Sequence, residues 1–311
     1  SLIESLAVIN LVESPETMVR DLQEVEPTIH FAVPRVWEKQ FSTVAIKLKE
    51  ATWLGRVAYD AGLKVGQKRA AYLKTLARVP LYLKCAFFVF DNLVFRNIRR
   101  ALGIDKCRWL STAAAPIAPD LIDWYWSIGK PMYEVYGQTE CTGIATANLL
   151  DDFRIGSVGK AIEDVEVVLS EEDEILIRSP GVIKGYWNQA EKTAETIRQG
   201  WLHTGDVGRI DDDGFIYIID RMKDIIITAG GKNITPSEIE NQLKFSPYVT
   251  DAVVVGDKRP YLTCLVMIDD ENVTKYAQDN DVPFTNYTSL CHTQEVLDLV
   301  HGEIEKVNVK F

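Results

Sequence analysis

Apolar and polar positions in the first part of the chain predict a short strand between helices. Ser14, Pro15 and Thr17 form a typical helix start. The segment TIHFAV, residues 28–33, is apolar and has the length of a strand, and a helix is expected to begin after Pro34. This part of the chain therefore predicts helix, strand and helix in succession.

Long amphipathic helices are predicted next. Residues 35–78 have apolar residues at helical spacing and many lysines and arginines, and we expect a break near Gly62 or Gly66. LYLKCAFFVFDNLVFRNIRRAL predicts another helix, which ends at Gly103. Because this helix mixes aromatic residues with arginines, it could lie on a membrane surface. Burial of its apolar face inside the domain is the favoured interpretation, since apolar helix faces usually pack inward.

Strand and helix then alternate up to Gly137. KCRWLST predicts a strand, APDLIDWYWSIG a helix and KPMYEVYG a second strand. Alternation of this kind indicates an α/β domain with a mostly parallel sheet and helices on its faces. Ligands bind at the strand ends of such sheets.

The pattern changes from about Ile155 to short strands joined by tight turns. VEVVLSEEDEILIRSPG and VGRIDDDGFIYIID predict an antiparallel region, and the DDDGF turn at 211–215 is a strong hairpin signal. After IDRMKDIII, Thr235 and Glu238 form a candidate capping box, with Pro236 at the first helical position. Two strands and further helices follow, so the last part of the chain predicts a small α+β domain.

Composition narrows the possible functions. A net charge of −11 over 311 residues disfavours nucleic-acid binding. The five cysteines have no paired spacing and the four histidines have no metal-ligand spacing, which favours free thiols in a reducing compartment. No apolar run approaches ~20 residues, so no membrane-spanning helix is predicted. We expect a cytoplasmic protein, with peripheral contact to a membrane as a second expectation.

The segment MYEVYGQTECTG, 132–143, places chemically distinct groups at a strand end. Tyr136 offers a flat face for a base, and Gly137 lets a ligand approach the backbone. Thr139 offers a hydroxyl to a phosphate oxygen, and Glu140 offers a hard oxygen ligand for Mg²⁺. A polar loop that simply closes a strand is the alternative interpretation.

Two other segments contain groups that suit a nucleotide. The three alanines of STAAAPIAPD, residues 113–115, leave a flat wall for a purine, although a helix start packed against the sheet would look the same. This stretch precedes VYGQTE by one strand–helix step, so both loops would open on one sheet edge. Asp206 follows a Thr-Gly turn and could accept hydrogen bonds from a ribose, with an Asx turn as the alternative.

The segment IDRMKDIIITAGGKNITPSEIE marks the junction with the last domain. Arg221 stands where the antiparallel region ends, and Lys223 and Asp224 lie at the junction itself. Gly230 and Gly231 predict a mobile or closely approached loop, and a surface hairpin with ordinary glycines is the alternative.

As a set, these segments resemble those of the adenylate-forming acyl-CoA synthetases, relatives of firefly luciferase and of peptide-synthetase adenylation domains. The resemblance rests on YGQTE, GYWNQAEKTAETI, GWLHTGD and IDRMKDIIITAGGKNITPSEIE, which occur in the family's order and approximate spacing. TIHFAVPRVWEK is most similar to the long-chain fatty acid, bubblegum-like branch. The resemblance extends over essentially the whole chain.

The resemblance implies a role for each matching residue. The residues of the ATP or AMP site would be Ala113, Ala114, Ala115, Tyr136, Gly137, Gln138, Thr139, Asp206 and Arg221. Among them the alanines would form the adenine wall, Tyr136 would stack on the base, and Asp206 and Arg221 would bind the ribose. The residues for catalysis would be Thr139 at phosphate, Glu140 holding Mg²⁺ and Lys223 as the hinge. The tunnel for the pantetheine arm of CoA would be lined by Ala229, Gly230 and Gly231.

The implied reaction has two steps and uses ATP, Mg²⁺ and CoA. A fatty carboxylate attacks the α-phosphorus of ATP, which gives acyl-AMP and pyrophosphate. The small domain then rotates, and the CoA thiol attacks the acyl-AMP and releases AMP. Another adenylate-forming ligase, acting on aryl or medium-chain acids or on a carrier protein, remains an alternative. A non-catalytic nucleotide- or acyl-binding module is another.

The resemblance also implies domain boundaries. We expect a partial N-terminal α/β adenylation domain at 1–154, its antiparallel β subdomain at 155–220, and a truncated α+β lid domain at 221–311 with a hinge at about 220–224. The family's phosphate loop and its C-terminal catalytic lysine are not found between Ser1 and Phe311. We therefore expect an internal piece of a longer enzyme that adenylates fatty acids very poorly alone. Its oligomeric state is left open.

Overall fold

The computed structural model describes residues 8–14 and 17–311, and it contains both helices and strands throughout. In chain order the helices are α1 (Met18–Val25), α2 (Pro34–Glu50), α3 (Trp53–Lys74), α4 (Leu81–Phe90), α5 (Arg96–Ala101), α6 (Pro119–Ser127), α7 (Ala190–Thr196), α8 (Pro236–Lys244), α9 (Asp270–Asp279), α10 (Tyr287–Leu290) and α11 (Gln294–Asn308). The predicted helix start at 14–17 includes Pro15, which lies outside the described residues.

The strands are mostly short. In chain order they are β1 (Ile29–Ala32), β2 (Trp109–Thr112), β3 (Met132–Tyr136), β4 (Thr146–Ala147), β5 (Lys160–Ala161), β6 (Glu166–Leu169), β7 (Glu174–Arg178), β8 (Ile197–Arg198), β9 (Trp201–Ile210), β10 (Ile216–Arg221), β11 (Ile226–Ile227), β12 (Asn233–Ile234), β13 (Val249–Val255) and β14 (Thr263–Ile268). One sheet has the order β1-β2-β3-β4-β5, and its last two pairings are antiparallel.

A second sheet, with the order β10-β9-β7-β6, is antiparallel throughout, and β8 adds to β9. It contains the predicted hairpin at 211–215, in which Asp211 accepts hydrogen bonds from the backbone amides of Asp213 and Phe215. Its core is apolar and includes the fully buried residues Ile175, Ile177 and Leu202. The mixed α/β fold class with an antiparallel region is confirmed.

The chain is divided into two compact units. One contains the described part of 1–31 together with 51–111 and 123–132, and the other contains 32–50, 112–122 and 133–311. This division follows different limits from the predicted domains at 1–154, 155–220 and 221–311, which stay a prediction.

In the first unit, the predicted helix break at Gly62 or Gly66 is wrong. The break lies at residues 51–52, and both glycines lie inside α3. A Cβ on Gly66 would come 2.1 Å from the Ser127 carbonyl oxygen, and one on Gly62 would come 3.1 Å from the Phe90 ring. Gly66 is therefore required for close packing, and Gly62 leaves room for the Phe90 ring, so neither glycine serves a turn.

The helix predicted before Gly103 forms with one irregularity. A π-helical turn at Asp91–Phe95 joins α4 to α5. The buried Arg99 guanidinium pairs with Asp91 and, at 2.9 Å, with Asp105, and it also donates to the Ile128 carbonyl oxygen at 2.9 Å. Because a buried cation is costly without partners, these acceptors explain how Arg99 is accommodated.

In the second unit, the predicted start of α8 is correct in position but wrong in its cap. Thr235 is the N-cap residue and Pro236 begins the helix, but in the described chain the Thr235 side chain caps no backbone amide. The Ser237 amide donates instead to Asp220 Oδ2 at 3.3 Å. A carboxylate from the end of β10 thus meets the first turn of α8 in place of the predicted capping box.

Candidate active site

Three sequence-predicted segments meet at the carboxylate of Asp206, which is 5% exposed on β9. Its Oδ2 accepts hydrogen bonds from the Tyr136 hydroxyl at 2.6 Å and from Gln138 Nε2 at 2.7 Å. Its Oδ1 pairs with Arg221 Nε at 3.0 Å. The YGQTE, HTGD and IDR segments therefore converge on one buried anion.

The strand pairing explains why Arg221 reaches Asp206. The two residues lie opposite each other in the antiparallel β9–β10 pair. The Arg221 side chain is 63% exposed, so it covers the carboxylate from the solvent side. Asp206 is buried and only Arg221 is exposed, so the guanidinium is the partner that can move when a ligand binds.

Gln138 links the YGQTE and HTGD segments directly. Its side-chain amide donates both to Asp206 and to the Thr204 carbonyl oxygen, at 3.0 Å. The turn that presents Gln138 depends on Gly137, because a Cβ there would lie 1.7 Å from the Gly143 carbonyl oxygen. The glycine predicted to admit a ligand is thus needed for the close approach of the chain to itself.

Tyr136 lies at the end of β3 and shares the Asp206 carboxylate. Burial and the negative charge of Asp206 raise the pKa of Tyr136 well above its usual range. The phenol therefore keeps its proton and acts as a hydrogen-bond donor to Asp206.

Sequence reasoning missed a second buried carboxylate behind Asp206. Glu174 Oε1 accepts from the Gly205 amide at 2.9 Å, and Oε2 lies 2.7 Å from His203 Nδ1. Gly205 has φ +72°, and the Thr204 hydroxyl accepts from the Asp206 amide at 3.1 Å. These contacts hold the turn that presents Asp206. The available signal was that Glu174 is the last residue of the acidic run 171–174 and the first residue of the apolar strand EILIR.

Glu140 belongs to a second part of the same loop. It lies in a 3₁₀ turn at Thr139–Cys141, and its side chain is half-buried. The Tyr186 hydroxyl donates to Glu140 Oε1 at 2.7 Å, and this contact raises the pKa of Tyr186. Tyr186 belongs to SPGVIKGYW, residues 179–187, which the resemblance implies would support the nucleotide site, although the tyrosine itself was not singled out.

The carboxylate of Glu140 is the group in this loop that could bind a metal ion. Among the described residues there is no cluster of three or more His, Cys, Asp or Glu side chains suited to a metal ion. Mg²⁺ commonly binds through one or two carboxylates together with substrate phosphates and water. Glu140 fits that mode, with the phosphate oxygens coming from a nucleotide.

The backbone of the predicted adenine wall has an unusual conformation. Ala114 and Ala115 are exposed, Ala113 is half-buried, and Ala114 has φ +76°. A left-handed alanine costs on the order of 1 kcal/mol, which indicates that the loop conformation is imposed by its surroundings. Contact between these alanines and a base stays a prediction.

The predicted hinge and tunnel residues lie on exposed backbone of the second unit. Lys223, Ala229, Gly230 and Gly231 are all exposed. The Ala229 amide donates to the Arg259 carbonyl oxygen at 3.0 Å, and Gly231 has φ +78°, as a tight turn requires. Their roles, like those of the nucleotide-site residues, stay predictions.

The chain belongs to the AMP-binding enzyme family. The family's sequence profile, described as AMP-binding enzyme, matches residues 6–187, and the AMP-binding enzyme C-terminal domain matches 223–310. The resemblance to adenylate-forming enzymes is thereby confirmed.

Two relatives are named for their substrates. The chain is 38% identical over 262 residues to the long-chain-fatty-acid–CoA ligase ACSBG2 of Xenopus laevis, which covers 79% of this chain and 34% of the relative. It is 37% identical over 256 residues to the long-chain-fatty-acid–CoA ligase FadD15 of Mycobacterium tuberculosis, covering 82% and 42%. The chain therefore spans less than half of the length of either relative.

A solved structure agrees with the fold. The adenylation domain of a carboxylic acid reductase from Segniliparus rugosus, in complex with AMP and a co-purified carboxylic acid, superposes with a TM-score of 0.62. The match covers 97% of this chain and 42% of that one at 18% identity. Among the described residues, no helix has both the length and the apolar character required to cross a bilayer.

Proposed function

We propose that this chain supplies the nucleotide site of an ATP-dependent long-chain fatty-acid–CoA ligase. The observation that carries the proposal is the convergence of Tyr136, Gln138 and Arg221 on the buried Asp206 carboxylate. The names of the relatives support a fatty acid as the carboxylate substrate. ATP, fatty acid and CoA are the partners of the whole protein, and a cytoplasmic location stays a prediction.

Asp206 would bind the ribose of the nucleotide. Its carboxylate already accepts two hydrogen bonds, from Tyr136 and Gln138, and it forms an ion pair with Arg221, whose side chain is exposed. A ribose hydroxyl can replace that donor without leaving the anion unpaired, which avoids the cost of a buried unsatisfied charge. Arg221 then turns to the other side of the ribose, while Gln138 and Tyr136 keep Asp206 in place.

The remaining loop residues would handle the phosphates and the base. Ala113 to Ala115 and the Tyr136 ring would enclose the adenine, and Thr139 would contact a phosphate oxygen. Glu140 would hold Mg²⁺, which when bound neutralises phosphate charge during attack by the fatty carboxylate. For the thioester step, Ala229, Gly230 and Gly231 would admit the pantetheine arm, and Lys223 would act as the hinge.

Calorimetric titration of the folded chain with AMP tests the nucleotide site. We expect wild-type binding and a loss of at least about tenfold in Asp206→Asn, because a charge-assisted hydrogen bond to ribose becomes a neutral one. Asp213→Asn, at an exposed position of the 211–215 hairpin, is the control and leaves AMP affinity unchanged. A folded wild type that ignores AMP, or an Asp206→Asn variant with full affinity, contradicts the proposal.

The thioester activity is tested on the whole protein. CoA-dependent AMP release with palmitate and not with benzoate-like acids is the expected outcome. Release with benzoate-like acids would indicate an aryl-CoA ligase. AMP binding without any CoA-dependent AMP release would indicate a nucleotide-binding module instead.

The outer face of α4 and the turn after it would contact an anionic membrane surface. Leu81, Tyr82, Phe88 and Leu93 are 65–76% exposed in the first unit. The exposed basic residues Lys84, Arg96 and Arg100 accompany them, which complements anionic lipid headgroups.

Vesicle flotation separates this contact from ordinary packing. Phe88→Asp should abolish flotation with phosphatidylserine vesicles and leave the melting temperature unchanged. Phe87 is unsuitable as the probe, because its ring packs 5.7 Å from the buried Phe95. Tyr72→Asp, at another exposed position on α3, is the control. Equal flotation of all variants, or none for wild type, contradicts membrane contact.

A further inference from the structure

The carboxylate of Glu140 is held from the side by a residue 46 positions further along the chain. The Tyr186 hydroxyl donates to Glu140 Oε1 at 2.7 Å. In the described part of the chain, hydrogen bonding to this carboxylate involves Oε1 and leaves Oε2 available. A carboxylate that is fixed through one oxygen presents the other in a defined direction.

The Tyr186 ring is itself held in place by α7. The Tyr186 amide donates to the Thr193 hydroxyl at 2.9 Å, and the Lys192 ammonium lies 4.1 Å from the ring centroid. Gly185, with φ +152°, permits the chain to pass Thr193, since a Cβ there would lie 2.6 Å from its methyl group. The phenol therefore reaches Glu140 from a constrained backbone.

The chain just before Tyr186 is also hydrogen-bonded to the turn that contains Glu140. The Ile183 amide donates to the Glu140 carbonyl oxygen at 2.8 Å, and the Thr142 hydroxyl donates to the Gly181 carbonyl oxygen. These backbone contacts fix where the turn lies. The contact from Tyr186 is different, because it acts on the carboxylate group alone and a phenylalanine would leave the backbone contacts intact.

We propose that Tyr186 is a positioning residue that orients Glu140 Oε2 toward the Mg²⁺ of a bound Mg–ATP. The proposal rests on the proposed function, which places Mg²⁺ at Glu140. Hydrogen bonds to metal-ligating carboxylates typically change metal affinity by about 10–100-fold when they are removed. Because one carboxylate is involved and the phosphates supply other ligands, we expect the lower end, about tenfold.

The test compares nucleotide binding with and without the metal in Tyr186→Phe. ATP affinity is measured by calorimetry in saturating Mg²⁺ and in EDTA, and AMP affinity is measured alongside. We expect the Mg²⁺-dependent gain in ATP affinity to fall about tenfold, with AMP affinity within twofold of wild type. Direct Mn²⁺ titration by electron paramagnetic resonance in the presence of ATP should show the same loss.

Two matched variants separate positioning from general damage. Tyr217→Phe removes a comparable hydroxyl, which donates to Asp211 at 3.1 Å in the hairpin, and should leave metal dependence unchanged. In a Glu140→Gln background, Tyr186→Phe should have no further effect on metal dependence, since the carboxylate it orients is gone. Melting temperatures check that each variant is folded.

Each outcome decides between the two proposals. If wild type binds no AMP, the proposed function fails and the role of Tyr186 fails with it. If wild type binds AMP and Mg–ATP but Tyr186→Phe keeps the full metal dependence, only the role of Tyr186 is overturned. The same holds if AMP and Mg–ATP affinities fall equally. If wild-type ATP binding does not respond to Mg²⁺, the placement of Mg²⁺ at Glu140 fails together with the role of Tyr186, while the AMP site stands.

Discussion

Replacement of Gln138 by leucine tests how the YGQTE and HTGD segments of the candidate site are joined. The amide of Gln138 is the bridge between them, since Nε2 donates to the Thr204 carbonyl oxygen at 3.0 Å and to Asp206 Oδ2 at 2.7 Å. Leucine has a similar volume and no donor. The substitution therefore removes both hydrogen bonds while the backbone turn at 137–143 is kept.

The magnitude follows from the two acceptors. A neutral hydrogen bond contributes about 1 kcal/mol and one to a charged group about 1.5–3 kcal/mol. Asp206 is 5% exposed, so water cannot easily replace the lost donor. We expect Gln138→Leu to lower the free energy of unfolding by about 2–4 kcal/mol.

Urea unfolding followed by circular dichroism measures this loss. Gln189→Leu is the control, because Gln189 is exposed and none of the hydrogen bonds of the described residues involves its side chain. It should change stability by less than about 0.5 kcal/mol. A Gln138→Leu variant as stable as the control would refute the reasoning. Gln138→Glu should recover stability as pH falls, because the introduced carboxyl regains a donor when protonated beside Asp206.

Three further outcomes follow from single residues. Burial raises the pKa of Glu134 to about 7. The neutral form is therefore favoured in the fold, and stability should fall by up to about 3 kcal/mol as pH rises from 4.5 through 7. Urea midpoints at pH 5 and 8 should show this in wild type and not in Glu134→Gln. Gly137→Ala should cost on the order of 3 kcal/mol, whereas Gly302→Ala, in the exposed part of α11 where a Cβ meets no described atom within 4 Å, should stabilise slightly. Cys107 is 3% exposed and burial raises its pKa to about 11, so mass spectrometry should find it unmodified by a thiol reagent at pH 8 while the exposed Cys85 reacts.

The proposals are tested by separate measurements, although the role of Tyr186 depends on the nucleotide site. Asp206 and its donors decide AMP binding, and the metal dependence of ATP binding depends on Glu140. The α4 face lies in the other compact unit and is tested by vesicle flotation. A defect in one assay with normal results in the others therefore identifies the affected site.

The sequence alone determined the order and type of most elements. Apolar residues at spacings of two or of three to four define strands and helices locally, so β3, α6 and the β9–β10 hairpin were predicted from a few residues each. The same local signals identified YGQTE, HTGD and IDR as site segments. The family resemblance then placed those segments in one enzyme class, which the comparisons confirmed.

Local spacing could not predict what each side chain would meet. Gly62 and Gly66 looked like a helix break, yet both lie inside α3, and Ser127 approaches Gly66 so closely that glycine is needed there. Thr235 and Glu238 looked like a capping box, yet Asp220 supplies the acceptor.

The tertiary structure also decided which polar groups support the site. Glu174 meets the Gly205 turn, and Tyr186 reaches Glu140, through pairings of segments that are 31 and 46 residues apart. A hydrogen bond depends on distances of about 3 Å and on burial, and both are set only when strands and loops distant in sequence have packed. For that reason the sequence was enough to predict the residues of the candidate site, and only the tertiary structure showed which contacts hold them in place.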